Sequence, residues 1–425
     1  MFERPQSDNE RAVLVHIQFS NDLNQAGIEE FQELAKSAGA IPVAIVTGRR
    51  HSPDAGHFIG KGKLEDVAHC LEDSHADVVL FNHALSPAQE RNVERVLKCR
   101  VLDRTRLILD IFAQRARSFE GKLQVELAQL QHMSTRLIRG WTHLERQKGG
   151  IGMRGPGETQ LETDRRLLNE RIKQINKRLD KVRKQREQGR KARQRARLPT
   201  VSLVGYTNAG KSTLFNQLTQ AIVYAADQLF ATLDPTLRRL QLPNKTQLIL
   251  ADTVGFIQNL PHDLVASFKS TLDETTQATI LLHIVDCNDP ERLLRIQQVN
   301  QILKEIGADE IRQILVYNKI DLLDNPQPRL EYDAHGNVTK VWLSASTDSG
   351  LDLLQQALSE ILQKSLQTYH LKIPVTEGHI RAQLYDTVTI LEESYTDEGD
   401  CLLSVRMEAQ YFQSLADYQL LPENG

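Results

Sequence analysis

The chain has 425 residues, 40% of them hydrophobic, and a formal net charge of -3, an ordinary composition for about two to four globular domains. Its four cysteines lie far apart and form no C-x-x-C pair, which argues against a disulfide framework or a zinc knuckle and favours a reducing, cytoplasmic location. Acidic residues near the start and the lack of any apolar run of about 18 residues lead us to expect neither a signal peptide nor a membrane span.

Strand-like and helix-like segments alternate over residues 1–110. Such alternation favours a parallel sheet covered by helices, so we predict an N-terminal parallel α/β domain over this range. The predicted strands are 12–17, 41–48, 77–81 and 100–104, and the predicted helices are 28–38, 62–73 and 86–98.

A glycine-rich segment in this domain, FIGKGK (58–63), offers backbone N–H groups beside Lys61 and Lys63. It fits a phosphate-binding loop, an RNA contact or a simple turn before a helix, and the sequence leaves these alternatives open.

Two heptad patterns predict a helical hairpin over residues 111–198. A segment rich in glycine (146–164), which contains Pro156, separates them and predicts a non-helical tip. The first pattern is Leu123, Leu127, Leu130, Ser134, Leu137, Trp141 and Leu144, and the second is Leu168, Ile172, Ile175, Leu179 and Val182.

The second half of the hairpin is strongly basic. Residues 165–197 contain fifteen Lys and Arg residues but only Glu170, Asp180 and Glu187 as acids. One interpretation is a solvated coiled-coil surface. The alternative, which we favour, is an arm that binds the phosphates of structured RNA, and we expect no DNA partner.

Residues 200–218, TVSLVGYTNAGKSTLFNQL, place a strand, the pattern G-x-x-x-x-G-K-S and a helix start in succession, which predicts a P-loop. Its N–H groups would bind phosphates, Lys211 would reach the β and γ phosphates, and Ser212 would ligate Mg²⁺. The predicted phosphate-binding residues are Gly205, Tyr206, Thr207, Asn208, Ala209, Gly210, Lys211, Ser212 and Thr213.

Two later segments predict the loops that sense the γ-phosphate. In the first, Thr232 is preferred over Thr236 as a ligand of Mg²⁺. In the second, the segment LILADTVG (248–255) is a strand that leads into Asp252 and Gly255. Asp252 would hold Mg²⁺ through water, and the N–H of Gly255 would meet the γ-phosphate. The residues assigned to the two loops are Phe230, Ala231, Thr232, Leu233 and Asp234, and Asp252, Thr253, Val254 and Gly255.

The element N-K-x-D at residues 318–321 selects the base. The Asp321 carboxylate can accept both N1–H and the 2-amine of guanine, which adenine cannot offer, so GTP is the predicted substrate. The residues assigned to the base are Asn318, Lys319, Ile320, Asp321, Ser344, Ala345 and Ser346.

At this point the sequence resembles the HflX family of ribosome-associated GTPases over essentially its whole length. The most distinctive segments are RGWTHLERQKGGIGMRGPGETQLETDRR (139–166), GYTNAGKSTLFN, QLFATLDPT, ADTVGFI and NKID. The resemblance implies an N-terminal domain and hairpin that dock on the large ribosomal subunit, a central GTPase (G) domain, and a role in splitting ribosomes stalled by heat or other stress.

Phe256 stands where many GTPases place a Gln that orients the attacking water. We therefore assign catalysis to Lys211, Thr232 and Gly255 and expect ribosomes to stimulate it. Asn208 is a candidate K⁺ ligand beside the phosphates; alternatively, it only caps its own loop.

The last residues, 367–425, predict a small α+β module without catalytic residues. It serves either as an interaction module or as packing for the G domain, which is predicted over residues 199–366. The whole chain is thus predicted to be a multidomain α/β GTPase, monomeric, that binds guanine nucleotides and the large ribosomal subunit. Two other functions stay open: an ATP-dependent RNA-remodelling enzyme, and a non-catalytic scaffold that binds RNA under the control of GTP.

Overall fold

The structure is a computed structural model, and the residues that it describes fall into several ranges. No helix within these ranges is long and apolar enough to cross a membrane. The ranges are 10–19, 25–140, 156–195, 198–220, 229–230, 232–257, 274–364, 366–396 and 399–408, with Phe412, Leu415 and Tyr418.

The N-terminal unit is a four-stranded parallel sheet in the order β2-β1-β3-β4, with helices between the strands. Its central strands are buried on both faces, as their continuous apolar runs require. The predicted parallel α/β fold is confirmed. The strands are β1 Glu10–Gln18, β2 Ala40–Arg49, β3 Val78–Phe81 and β4 Arg100–Asp103, and the helices are α1 Gln25–Ser37, α2 Lys61–Ser74, α3 Pro87–Leu97 and α4 Arg104–Arg115.

Two long helices, α5 Phe119–Gly140 and α6 Pro156–Arg195, follow this unit and pack together as the predicted hairpin. The contact surface consists of heptad residues: Leu123, Leu127, Leu130 and Ile175 are buried, with Leu168, Ile172 and Leu179 packed against them. Residues 141–155, including most of the predicted tip, lie outside the described ranges, and so do the side chains of Leu137 and Leu144.

The hairpin differs from the prediction at two places. The segment from Ile111 to Arg115 completes α4 of the N-terminal unit, and the hairpin begins only at Phe119. The non-helical tip does not extend to Asp164, because α6 already begins at Pro156. Proline is well tolerated in the first turn of a helix, where its missing N–H would have no partner.

The G domain is built on a seven-stranded sheet in the order β10-β11-β9-β8-β5-β7-β6. Neighbours from β11 to β7 run parallel, and β10 and β6 pair antiparallel at the two edges. The strands are β5 Thr200–Gly205, β6 Thr236–Gln241, β7 Gln247–Asp252, β8 Ile280–Asp286, β9 Gln313–Asn318, β10 Arg329–Tyr332 and β11 Val338–Trp342; the helices are α7 Lys211–Thr219, α8 Arg292–Glu305 and α9 Leu351–Lys364, with a 3₁₀ turn at Ile320–Leu322.

The C-terminal module is an antiparallel sheet in the order β12-β14-β13 with one helix packed on it. It confirms the predicted α+β character, whereas the predicted helix at 409–417 falls largely outside the described residues. The elements are β12 Leu366–Ile373, a 3₁₀ turn at Val375–Glu377, α10 Gly378–Thr387, β13 Thr389–Tyr395 and β14 Cys401–Glu408.

The N-terminal unit and the G domain share one hydrophobic core. Phe31 and Phe112 of the N-terminal unit belong to the same buried cluster as Phe230, Leu233 and Phe256 of the G domain. The rings of Phe112 and Phe230 meet edge to face with centroids 4.6 Å apart. Two units that the sequence presents as separate are therefore packed together around the predicted switch loops.

Candidate nucleotide-binding site

The P-loop connects the end of β5 to the start of α7, and glycines allow its tight path. A Cβ at Gly205 would lie 2.3 Å from the carbonyl oxygen of Ile284, and one at Gly210 would lie 2.2 Å from the side-chain nitrogen of Asn318. Gly210 also has φ of 91°, a left-handed conformation that glycine adopts readily. The N–H groups at the start of α7 follow directly, which is the arrangement that binds phosphate.

Lys211 lies inside this loop with its side chain almost fully buried. Its ammonium donates to the carbonyl oxygens of Gly205 at 3.1 Å and Tyr206 at 2.7 Å. Burial lowers the pKa of Lys211 to about 8, and the charge of Asp252 opposes this shift. The loop therefore holds a positive charge that burial makes costly and that a phosphate would stabilise.

Three oxygen-bearing side chains converge beside the loop. The Ser212 hydroxyl lies 2.8 Å from both the Thr232 hydroxyl and Oδ2 of Asp252, and the hydroxyl of Thr232 is 3.0 Å from the same Oδ2. Burial raises the pKa of Asp252, opposed by these hydroxyls and by Lys211. Its Oδ1 is buried without a hydrogen-bond partner among the described residues. Hard oxygen donors around a buried carboxylate fit Mg²⁺.

Of the two candidate switch threonines, Thr232 is the one that reaches this cluster. Thr236 begins β6 and faces Asp252 only as its partner in strand pairing. Thr232 is flanked by buried Phe230 and Leu233. Ala231 lies outside the described residues.

The second loop brings Gly255 next to Lys211. A Cβ at Gly255 would lie 3.0 Å from Nζ of Lys211, so the backbone comes close to where a γ-phosphate would sit. The neighbouring Phe256 is only 3% exposed, and its backbone bonds to Gly205 and Thr207 of the P-loop. Thr253 donates to the carbonyl of Leu203 at 2.5 Å. Phe256 thus fixes the loop by packing and backbone pairing.

The segments that are predicted to recognise the base meet at the other end of the P-loop. Asn318 donates to the carbonyl oxygen of Ala209 and accepts from the N–H of Ala345, both at 2.9 Å. The hydroxyl of Ser344 donates to Asp321 at 2.5 Å and lies 3.0 Å from that of Ser346. These bonds connect the P-loop, the segment 318–321 and the segment 344–346, and they fix the position of the Asp321 carboxylate.

Several predicted residues have other surroundings. Lys319 forms an ion pair with Asp286 at 2.8 Å, and Ile320 is buried in a small cluster of its own with Tyr317. Asn208 is exposed with φ of 61° and lines a cavity of about 70 Å³ with Asp286 and neighbouring residues. The remaining predicted residues, Thr213 and Val254, occupy partly buried positions in α7 and the second loop.

Three residues around the P-loop residue Tyr206 were not predicted from the sequence: Glu30, Arg104 and Arg295. Tyr206 of the P-loop donates its hydroxyl to Glu30 of α1, and Glu30 forms a buried ion pair with Arg104 at 2.5 Å. The guanidinium of Arg295 stacks on the Tyr206 ring at 4.6 Å. No spacing rule connects residues this far apart in the chain, so no local sequence signal reveals these contacts.

The two basic segments singled out in the sequence, FIGKGK (58–63) and residues 165–197, have different surroundings. In FIGKGK, Gly60 precedes the first residue of α2, and Lys63 pairs with Asp66 at 2.9 Å. Along α6, most basic side chains between 165 and 188 face solvent, and side chains 189–197 lie outside the described residues. Two basic residues of α6, Arg171 and Arg186, pair with Glu126 and Glu120 of α5.

Together, the parallel sheet, the P-loop, the hydroxyl–carboxylate cluster and the N-K-x-D element define a P-loop GTPase. Family models match consecutive parts of the chain: "GTP-binding GTPase N-terminal" over residues 25–113, "GTP-binding GTPase Middle Region" over 115–193, and "50S ribosome-binding GTPase" over 200–319.

Relatives over the full length specify the family. The GTPase HflX of Escherichia coli (strain K12) is 57% identical over 407 residues, 96% of this chain and 95% of that protein. The GTPase HflX of Caldanaerobacter subterraneus subsp. tengcongensis is 45% identical over 401 residues, 94% and 91% of the two chains. This chain belongs to the HflX family and is a GTP hydrolase with a 50S ribosome-binding GTPase domain.

Among solved structures, a crystal structure of SsGBP in complex with GDP is also similar. It has a TM-score of 0.48 and 24% identity, and the match covers 84% of this chain and 99% of that one. This likeness is too distant to add to the assignment.

Proposed function

We propose that this protein binds the large ribosomal subunit in its GTP state and uses GTP hydrolysis in separating the subunits of stalled ribosomes under stress. The observation that carries the proposal is the combination of a nucleotide site with a basic arm on a single chain. Family membership supports the ribosomal part, and the cytoplasm is where we expect it to act.

The GTP state is distinguished by the loops around the γ-phosphate. Ser212 and Thr232 would ligate Mg²⁺ directly, and Asp252 would hold it through water; the bound ion would neutralise charge on the β and γ phosphates. Lys211 would bind the same phosphates, and the N–H of Gly255 would donate to the γ-phosphate. Asp321 would accept from guanine, with Asn318 and Ser344 holding its loop in place.

Catalysis would use no side chain at position 256. Since Phe256 is buried and cannot donate or accept a hydrogen bond, the attacking water would be oriented by backbone groups near Thr232 and Gly255. Hydrolysis by the free protein would therefore be slow, and docking on the ribosome would accelerate it by about 10²–10³, the value of one well-placed electrostatic element. We further propose K⁺ at Asn208 as a contributor.

The basic arm would supply the attachment to RNA. Helix α6 of the hairpin carries a series of exposed basic side chains, among them Lys177, Arg178, Lys181 and Lys184. Neutralising phosphates releases counterions, which rewards such clustering without base-specific contacts. We propose that the protein acts as a monomer.

Co-sedimentation with separated ribosomal subunits tests the proposal. With a non-hydrolysable GTP analogue, the protein should migrate with the large subunit more than it does with GDP. Equal binding in both states would contradict a nucleotide switch, because a nucleotide shifts an equilibrium only through differential affinity. Multiple-turnover phosphate release with and without subunits tests the catalytic part, and an unchanged rate would favour a non-catalytic scaffold.

A further inference from the structure

The carboxylate of Asp234 joins the first of the two predicted γ-phosphate loops, residues 230–234, which we call the first switch loop, to the helical hairpin. Its Oδ2 accepts from the N–H groups of Arg117 at 3.0 Å and Ser118 at 2.7 Å, and its Oδ1 accepts from the Ser118 hydroxyl at 2.6 Å. Ser118 directly precedes α5 and also accepts, through its hydroxyl, from the N–H of Gly121 at 2.8 Å. A residue of the G domain thus accepts from two consecutive N–H groups just before α5, and that of Ser118, at the N-cap, is one that the helix cannot satisfy by itself.

The first turn of α5 is shaped to receive this carboxylate. A Cβ at Gly121 would lie 2.1 Å from Oδ1 of Asp234 and 3.0 Å from its Cγ. Glycine is among the least favourable residues within a helix. At this position the missing side chain makes the room that the carboxylate occupies.

Asp234 is only two residues from Thr232, the switch threonine whose hydroxyl contacts Ser212 and Asp252. Leu233, between them, is buried, and on the other side of Thr232 the ring of Phe230 packs on Phe112. On one side of Thr232, Phe230 contacts Phe112, and on the other side Asp234 contacts Ser118. Both contacts are therefore made with the N-terminal half of the chain. At about 3.3–3.6 Å per residue, Asp234 cannot move far from α5 without displacing Thr232.

We propose that Asp234 is a positioning residue that couples the placement of the helical arm to the placement of Thr232 on Mg²⁺–GTP. The inference rests on the proposed Mg²⁺–GTP site. GDP lacks the γ-phosphate and gives the Thr232 segment no partner, so the contact with α5 favours GTP selectively. By reciprocity, GTP stabilises the attachment of the arm to the G domain by the same factor.

The test is Gly121→Ala in the full chain, with Gly378→Ala as the matched control. Both glycines lie near the start of a helix, but a Cβ at Gly378 of α10 would meet no atom within 4 Å. Gly121→Ala should weaken binding of a non-hydrolysable GTP analogue with Mg²⁺ by about five- to tenfold, at the lower end of coupling between sites. It should leave GDP binding unchanged, and Gly378→Ala should change neither.

A second variant approaches the same contact from the other side. Asp234→Ala should weaken binding of the GTP analogue at least as much as Gly121→Ala. In the double variant the effects should not add, because without the carboxylate the methyl group at position 121 has nothing to displace. Additive losses would show that the two residues act separately and would overturn the inference.

Two failures can be told apart. If the unaltered chain binds the GTP analogue with Mg²⁺ and both Gly121→Ala and Asp234→Ala bind it equally well, the coupling through Asp234 is refuted and the site stands. If the unaltered chain shows no Mg²⁺-dependent binding of the GTP analogue, the proposed site itself fails.

Discussion

Lys211 combines two properties that oppose each other: it carries the charge that a triphosphate needs, and it is almost fully buried. Burial lowers its pKa to about 8, from an ordinary value of 10.5. Its charge is therefore lost as the pH rises through about 8, well before that of an exposed lysine. Below that pH the ammonium is present and available for phosphate.

Nucleotide affinity should consequently fall with rising pH. With a pKa of about 8, roughly nine-tenths of Lys211 is charged at pH 7 but only about a quarter at pH 8.5, so binding of the GTP analogue should weaken about fourfold. Fluorescence titration at a series of pH values measures this. Lys211→Gln should bind weakly at every pH and show no such dependence; an unchanged profile in that variant would assign the titration elsewhere.

Thr232 and Thr236, the two candidate Mg²⁺ ligands, allow a comparison of matched variants. Thr232→Ala should lower single-turnover GTP hydrolysis by about 10²–10³, because it removes an oxygen beside the developing charge. Thr236→Ala should retain hydrolysis, since Thr236 lies in β6 and, among the described residues, donates no hydroxyl to the Ser212–Asp252 cluster. The reverse result would assign the switch to Thr236.

At the residue scale, the sequence predicted what depends on local order. A strand followed by G-x-x-x-x-G-K-S and a helix is a local pattern, so the P-loop could be recognised from neighbouring residues alone. The choice of Thr232 agrees with the structure, in which its hydroxyl reaches Ser212 and Asp252. The contacts of Glu30 with Tyr206, and of Asp234 with Ser118, could not be predicted in this way. They join residues 176 and 116 positions apart, and such pairs arise from domain packing, which no local periodicity encodes.

At the scale of elements, α6 has a dual character. Its apolar stripe packs on α5 through Ile175, while most of its basic side chains are exposed on the rest of its surface. Heptad spacing predicted the stripe because burial on one helix face repeats every three to four residues. The start of α6 was harder to predict, because Pro156 is compatible both with a loop and with a first helical turn.

Removing positive charge from this surface should weaken binding to the large ribosomal subunit and reduce its salt dependence. Replacing Lys177, Arg178, Lys181 and Lys184 by Ala should lower the log–log slope by up to about 0.7–0.9 for each phosphate that the arm no longer neutralises. Binding over a range of KCl concentrations measures this slope.

A control for this prediction removes the same charge elsewhere. Arg238, Arg239, Lys245 and Lys304 are exposed basic residues of the G domain, and replacing them by Ala should leave the slope unchanged. If both sets reduce it equally, the arm has no special role and net charge alone determines binding.

At the scale of the whole molecule, a buried ion pair accompanies the shared core. The side chains of Arg104 and Glu30 are 5% and 8% exposed. Arg104 also donates to Asn82 at 2.6 Å, and Glu30 accepts from Tyr206 of the P-loop. The pair therefore links the N-terminal sheet to the nucleotide site.

Breaking this pair from one side should be costly. Glu30→Ala leaves the Arg104 charge buried without its carboxylate and should reduce the free energy of unfolding by about 3–5 kcal/mol. Guanidinium unfolding of the full chain measures it. Glu33→Ala, on the same helix, removes an exposed ion pair with Lys36 and should cost no more than about 1 kcal/mol; similar losses in both variants would contradict the role assigned to burial.

The shared core has a consequence for how the protein is made. Ser118 and Asp234, which meet beside that core, are 116 positions apart in the chain, and at about 5–20 residues per second that length takes on the order of ten seconds to synthesise. During this interval the newly made N-terminal domain carries an uncovered apolar face around Phe112, whose partner Phe230 does not yet exist. We therefore expect each molecule to be open to aggregation during this interval. The interval ends only when residues 230–234 have left the ribosome.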